Sequence, residues 1–175
     1  LKWQQFISDV YERIAQVLEE ALTGLSQEDL NQQPNTESNP IGWLAWHLTR
    51  AQDKAMQEIS GGEQLWIKDK WYARFNRPAD PEESGVRHTL EQVAAFKSPD
   101  AATLLAYNRA VAEQMKNVVG NLSEGELGRK LPNPRRPSVA TVGARLVANI
   151  NDNLQHAGQI AYVRGFLKGK GWFEM

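Results

Sequence analysis

Two residues with metal-binding chemistry stand one helical turn apart near the end of the chain, in "NDNLQHAGQIAYVRGFL", Asn151 to Leu167. At i and i+4 on a helix, Asp152 and His156 have Cβ atoms roughly 5–6 Å apart, so a carboxylate oxygen and an imidazole nitrogen can meet on one cation. Gln159 follows one turn later. The chain has no cysteine, which excludes thiolate metal sites, iron–sulfur clusters, disulfides and a cysteine nucleophile. Any metal must be held by nitrogen and oxygen, and imidazole can come only from His47, His88 and His156. His47 lies about 100° from the centre of the apolar stripe of its own helix, at a flank where a neighbouring helix could meet it. It would complete a three-ligand set with Asp152 and His156 and leave positions open for water or substrate. Taken alone, the Asp152–His156 pair reads better as an ordinary surface pair beside a solvated face than as a metal clip.

The elements that must position these residues are helical. Trp3, Phe6, Ile7, Val10, Ile14, Val17, Leu18, Ala21 and Leu22 recur at three- and four-residue spacings, which predicts a first long helix ending near Gly24. Asn39 as N-cap with Pro40 in the first turn predicts a second, carrying His47 and ending before "SGG". Ser98, Pro99 and Asp100 repeat that start signal for a third, which ends at Gly120. A fourth begins near Ser138 and runs to about Leu167. Its apolar face is Val139, Val142, Gly143, Leu146, Ile150, Leu154, Ala157, Ile160 and Ala161. A polar seam flanks that face, made of Arg145, Asn149, Asp152, His156, Gln159 and Val163.

The expected fold class is therefore all-α, a four-helix bundle in one domain over residues 1–175. A long irregular connection joins the second and third helices. It is rich in tryptophan, includes a capping box from Thr89 to Gln92, and is expected to fold over one end of the bundle. Such a length lets the two helices it joins run parallel.

Composition narrows the partners. With 175 residues and 41% apolar content the chain can bury one continuous core. Twenty basic and twenty-one acidic residues leave a formal charge of −1, so no global field draws in nucleic acid or an anionic membrane. No apolar run approaches the roughly 20 residues of a bilayer span, and the opening residues do not resemble a signal peptide. A cytoplasmic location is expected. A homodimer through an apolar helix face is the assembly common for bundles of this size.

Several other residues carry weaker signals. Asp53 sits about 120° around the helix from His47, which favours a salt bridge or a surface role over ligation. His88 precedes the Thr89 cap and is expected in the loop. The tryptophans are expected as core or interface packing. Arg135, Arg136 and Arg145 could meet an anionic cosubstrate, or be solvated and ion-paired.

The stretches "NPIGWLAWHLTRAQD" around His47 and "NLQHAGQI" around His156 resemble the DinB/YfiT-like metalloenzyme superfamily, and the resemblance extends over essentially the whole chain. The segment "RFNRP...GVRHTLEQVAAF" is similar to that of actinobacterial-type members. The resemblance implies an up-down-down-up four-helix bundle and a divalent metal held by three side chains, here His47, Asp152 and His156. Many members have a second histidine where this chain has Asp152. A related branch, the mycothiol-dependent maleylpyruvate isomerases, is similar in using histidine, carboxylate and histidine, its carboxylate being glutamate. The nitrogen–oxygen–nitrogen set suits zinc first, and also nickel, manganese or iron. Gln159 would orient a ligand or a bound water from behind. The chemistry implied is thiol transfer, with a low-molecular-weight thiol such as bacillithiol or mycothiol as cosubstrate and a small-molecule electrophile as its partner. The implied enzyme is a thiol S-transferase or a thiol-dependent isomerase. Two function classes stay open at this point: that metal-dependent enzyme, and a non-catalytic bundle that keeps the fold and binds a ligand or partner.

Overall fold

Four long helices build the frame, and a computed structural model describes it over residues 2–134 and 136–173. They are α1 (Trp3–Leu22), α3 (Ile41–Ser60), α7 (Ala101–Gly120) and α8 (Val142–Lys168). Shorter helices are α2 (Gln27–Asn31), α4 (Leu65–Lys68), α5 (Trp71–Arg74) and α6 (Leu90–Ala95). Among the described residues the β pairing is limited to one antiparallel bridge, Lys130 with Thr141, which pins the chain just before α8. No described helix is long and apolar enough to cross a membrane.

Cross-helix bonds fix the directions. The Gln4 amide donates to the Leu122 carbonyl and Arg109 pairs with Glu19, so α1 and α7 are antiparallel. Asn108 donates to Thr49 while Ile59 and Val118 border one surface depression, so α3 and α7 run parallel. Arg145 pairs with Glu58 and Asn153 donates to Gln52, so α3 and α8 are antiparallel. The helices thus run up, down, down, up, with α1 and α3 each packed between α7 and α8. One apolar core joins them, from Tyr11, Ile14 and Leu18 through Trp46, Leu48 and Met56 to Val111, Met115, Leu146 and Ile160.

Three helix starts differ from the expected ones by one to three residues, each because a different group satisfies the first-turn donors. Pro40, not Asn39, is the N-cap of α3, its carbonyl accepting from the Leu44 amide. Asp100 caps α7, its carboxylate accepting from the Thr103 amide at 2.7 Å, while the amide of Ser98 is turned to Asn31. Thr141 caps α8, and Pro137–Val139 forms a separate 3-10 turn, so Val139 is off the helix. The "SQEDLN" stretch between α1 and α3 folds into α2 through a reciprocal capping box between Ser26 and Asp29.

The buried face of α8 is also rotated from the apolar stripe. It comprises Val142, Leu146, Asn149, Asn153, Ala157, Ile160 and Val163, whereas Leu154 is 52% exposed. The rotation follows from a buried polar relay. The Tyr11 hydroxyl donates to Asn149 (2.7 Å), Asn149 to Asn153 (3.4 Å) and Asn153 to Gln52 (3.1 Å). Paired this way, the asparagines enter the core at little cost, and α8 turns the seam bearing Asp152 and His156 toward α3.

The long connection does not fold over an end of the bundle. It lies along the flank of α3, where Trp43, His47, Arg50 and Asp53 hold it over ten residues, about 15 Å of helix. Arg50 is fully buried. Its guanidinium donates to the carbonyls of Pro81 and Glu83 (2.9 Å each), to Gln64 (2.8 Å) and toward Tyr107 and Asp53. Asp53 is equally buried, which corrects any surface role. Its carboxylate accepts from the Tyr107 hydroxyl (2.7 Å) and from the amides of Leu65 and Trp66 (2.9 and 2.8 Å), the first orphan donors of α4. Burial raises the Asp53 carboxyl above the usual range, and these hydrogen bonds oppose the rise. With one face on the core and another under the connection, sixteen of the twenty residues of α3 are buried.

Candidate metal centre

His47 reaches the groove between α3 and α8 from one side, and Asp152 and His156 reach it from the other. One ligand atom from each of the three lies within 4.8 Å of the other two. The Asp152 oxygen is 3.7 Å from His156 Nε2, and the His47 and His156 rings meet edge to face with centroids 4.7 Å apart. Bonds of about 2.0–2.1 Å in a tetrahedral shell put ligand atoms roughly 3.3 Å apart, so small side-chain rotations close the set on a cation.

Both rings are oriented from behind. His47 Nδ1–H donates to the Ser84 carbonyl in a short hydrogen bond, and His156 Nδ1–H donates to Gln159 Oε1 at 2.8 Å. Each imidazole therefore keeps its Nε2 lone pair for the groove. A carbonyl holding the far nitrogen is the usual support of a metal-bound histidine, fixing ring orientation and raising basicity. Burial pushes the His47 pKa down, opposed by the Ser84 hydrogen bond and the Asp152 charge, which keeps the ring neutral and able to ligate at neutral pH. Trp43 stacks on His47 at 4.9 Å and 12°, closing that face against water. The open side is that of Asp152, whose side chain is 42% exposed against 18% for His156.

Two depressions flank the cluster. One of about 160 Å³ is lined by His47 and Asp152 together with Lys54, Ser84, Arg136 and Arg145. The other, about 430 Å³, is lined by Gln159 with Leu44, Tyr162, Val163 and Phe166. Ala51 and Ala148, small residues one turn from His47 and Asp152, leave room for the smaller one.

His47, Asp152, His156 and Gln159, singled out from the sequence, thus come together in one place. His88 does not join them. It accepts from Trp43 Nε1 and donates to Glu83, both at 3.1 Å, so both ring nitrogens are committed. Trp43, Trp46, Trp66 and Trp71 are buried and belong to the core. Arg135 lies outside the described residues. Sequence reasoning missed Ser84, whose contribution is a backbone carbonyl, and Arg50, which holds the carbonyls of the segment before it. A trace of that arrangement was present: Trp43, His47 and Arg50 stand at successive turns of one helix face.

The chain belongs to the DinB superfamily, whose family model matches residues 11–160. Among solved structures it is similar to a conserved protein from Enterococcus faecalis, with 26% sequence identity and a TM-score of 0.86, over 97% of this chain and 99% of that one. No curated protein matches the chain.

Proposed function

We propose that this chain is a divalent-metal-dependent enzyme that directs a low-molecular-weight thiol at a small electrophile, as a thiol S-transferase or a thiol-dependent isomerase. The observation that carries the proposal is the pair of imidazoles whose Nδ1 atoms are committed to Ser84 and Gln159 while one ligand atom from each ring and one from the Asp152 carboxylate lie within 4.8 Å of one another. Two imidazole nitrogens and one carboxylate fit zinc, and nickel, manganese or iron as well. A bound divalent cation supplies Lewis acidity, lowering the pKa of a coordinating thiol so that it reacts as thiolate near neutral pH.

The chain's residues account for the rest. His47 and His156 are held in place by hydrogen bonds made before any ligand arrives, so binding costs little reorganisation. Trp43 excludes water from one face, and the exposed edge at Asp152 gives the thiol and its partner their approach. With no cysteine in the chain, the sulfur nucleophile comes from the cosubstrate.

The test is metal analysis of protein purified without chelators, followed by a thiol panel with a chromogenic electrophile. The expected result is close to one divalent ion per chain and metal-dependent consumption of thiol. Absence of stoichiometric metal, with no thermal stabilisation by zinc, nickel or manganese, would overturn the proposal.

A further inference from the structure

The smaller depression beside His47 and Asp152 has a charge pattern that the metal centre does not explain. Three cationic side chains line it, Lys54, Arg136 and Arg145, against one acid, Asp152. Lys54 is paired with Glu82 at 2.7 Å. Arg145 gives its Nε to Glu58, and its two terminal nitrogens make no hydrogen bond to a described residue. Arg136, in the exposed turn before α8, makes no ion pair with a described residue. A divalent cation on His47, Asp152 and His156 would outweigh the Asp152 charge and leave the depression strongly electropositive. Val86, Val139 and Ala148 supply an apolar wall. With a water's share of liquid volume near 30 Å³, a space of about 160 Å³ suits a group of roughly five to ten non-hydrogen atoms.

We infer that this depression is an anion subsite, in which Arg136 and Arg145 bind a carboxylate carried by one of the two substrates. The inference rests on the metal-dependent reading for its place in the reaction, and on the depression itself for the binding. The terminal nitrogens of Arg145 and the whole guanidinium of Arg136 offer the planar donor pairs that a carboxylate accepts in bidentate fashion. Those donors line the same depression as His47 and Asp152, so a carboxylate held there places the atoms attached to it next to the proposed metal ligands. The carboxylate could enter on the thiol or on the electrophile; the chemistry of recognition is the same.

The experiment is calorimetric titration of the full chain, without metal and with zinc, using succinate, mercaptosuccinate and the uncharged thiol 2-mercaptoethanol. Succinate is expected to bind both forms, more tightly with zinc. Arg136→Gln is expected to weaken it roughly tenfold, the loss of about one charge-assisted contact, with zinc stoichiometry and thermal midpoint unchanged. Arg145→Gln serves as the second variant, its folding checked because it also breaks the pair with Glu58. If mercaptosuccinate gains over succinate on the zinc form and keeps its Arg136 dependence, the carboxylate belongs to the thiol. If it gains nothing, the carboxylate belongs to the electrophile. Arg136-dependent succinate binding in a chain that takes up no zinc would support the subsite and overturn the metal-dependent function. Succinate affinities that neither variant changes, or 2-mercaptoethanol binding as tightly as mercaptosuccinate, would overturn the subsite while leaving the metal centre intact.

Discussion

Replacing Gly85 by alanine tests whether the connection along α3 does more than cover a hydrophobic surface. Gly85 has φ +83°, in the left-handed region, and a Cβ built there would stand 2.5 Å from Trp43 Cζ2 and 2.9 Å from Trp46 Cζ3. Both rings are buried, so neither can swing away as a flexible side chain would. The backbone strain costs about 1–2 kcal/mol, and the overpacking about 1–3 kcal/mol more. Relief requires the segment to lift by roughly an ångström, the distance needed to restore ordinary carbon contacts of about 3.5 Å. The residue carried with it is Ser84, whose carbonyl holds His47 Nδ1. Loss of such a support lowers metal affinity by about 10–100-fold, or about 1.4–2.7 kcal/mol. The assay is zinc competition against a chromogenic chelator, run beside thermal unfolding of the metal-free chain. Gly61→Ala is the control: it has φ +74° at the end of α3 and nothing within 4 Å of its would-be Cβ. It should lose about 1–2 kcal/mol of stability from strain alone and keep wild-type zinc affinity. Wild-type zinc affinity in Gly85→Ala, or an equal loss in Gly61→Ala, would refute the link from connection to imidazole.

Three further outcomes follow from other parts of the structure. Asp152→Ala and His156→Ala should each abolish most stoichiometric metal, with far-UV circular dichroism unchanged because both side chains sit toward the solvent edge of α8; metal retained at wild-type level in both would exclude this cluster as the site. Tyr11→Phe removes the buried donor to Asn149 and should cost about 1–2 kcal/mol in urea unfolding, with zinc stoichiometry preserved, and no change would mean that the relay through Asn149 and Asn153 contributes nothing. Asp29 is held down to about 2 by Lys168, aided by the Ser26 backbone hydrogen bond. Because its folded pKa lies below the ordinary 3.8, the stabilisation is present above that value and is lost as pH falls from there toward 2. Asp29→Asn should therefore lower stability at neutral pH and flatten the acid limb between those values, and an unchanged acid limb would rule the contact out as its cause.

How far the site was legible in the sequence depended on whether its parts act through periodicity. Four amphipathic segments with Pro, Gly and capping signals define the frame, and the i, i+4 spacing of Asp152 and His156 belongs to one helix, so both can be read from a wheel. The rotation of α8 was not readable that way. Spacing puts Asn149 in the polar seam, yet it is buried through a bond to Tyr11, 138 positions away, and Asn153 beside it is buried through a bond to Gln52, 101 positions away. Nor could spacing locate the connection, because it is held by backbone carbonyls, of Pro81, Glu83 and Ser84, that carry no side-chain signature. Asp53 reads as a salt-bridge or surface residue, and Arg50 goes unnoticed, for the same reason. Apart from each other, their partners are backbone groups, Gln64 and a distant tyrosine, and only the fold brings these together.

The same physical reasoning bears on Asp152, where many members of the superfamily have histidine. A carboxylate on one methylene reaches less far than an imidazole, so an aspartate can serve only if the two helices already lie close. They do: the His47 ring on α3 is in edge contact with the His156 ring on α8, with centroids 4.7 Å apart. The approach is permitted by Ala51 and Ala148 in the groove, and secured by the Asn153–Gln52 bond below and the Arg145–Glu58 pair beyond it. A shorter ligand on a closer pair of helices preserves the separation a cation needs. Asp152→His would test that compensation from the other side: the longer ring should crowd the Ala51–Ala148 groove, and zinc affinity no higher than wild type is expected. A clear gain in affinity would show that the helices had room for histidine and that the aspartate is not matched to their spacing.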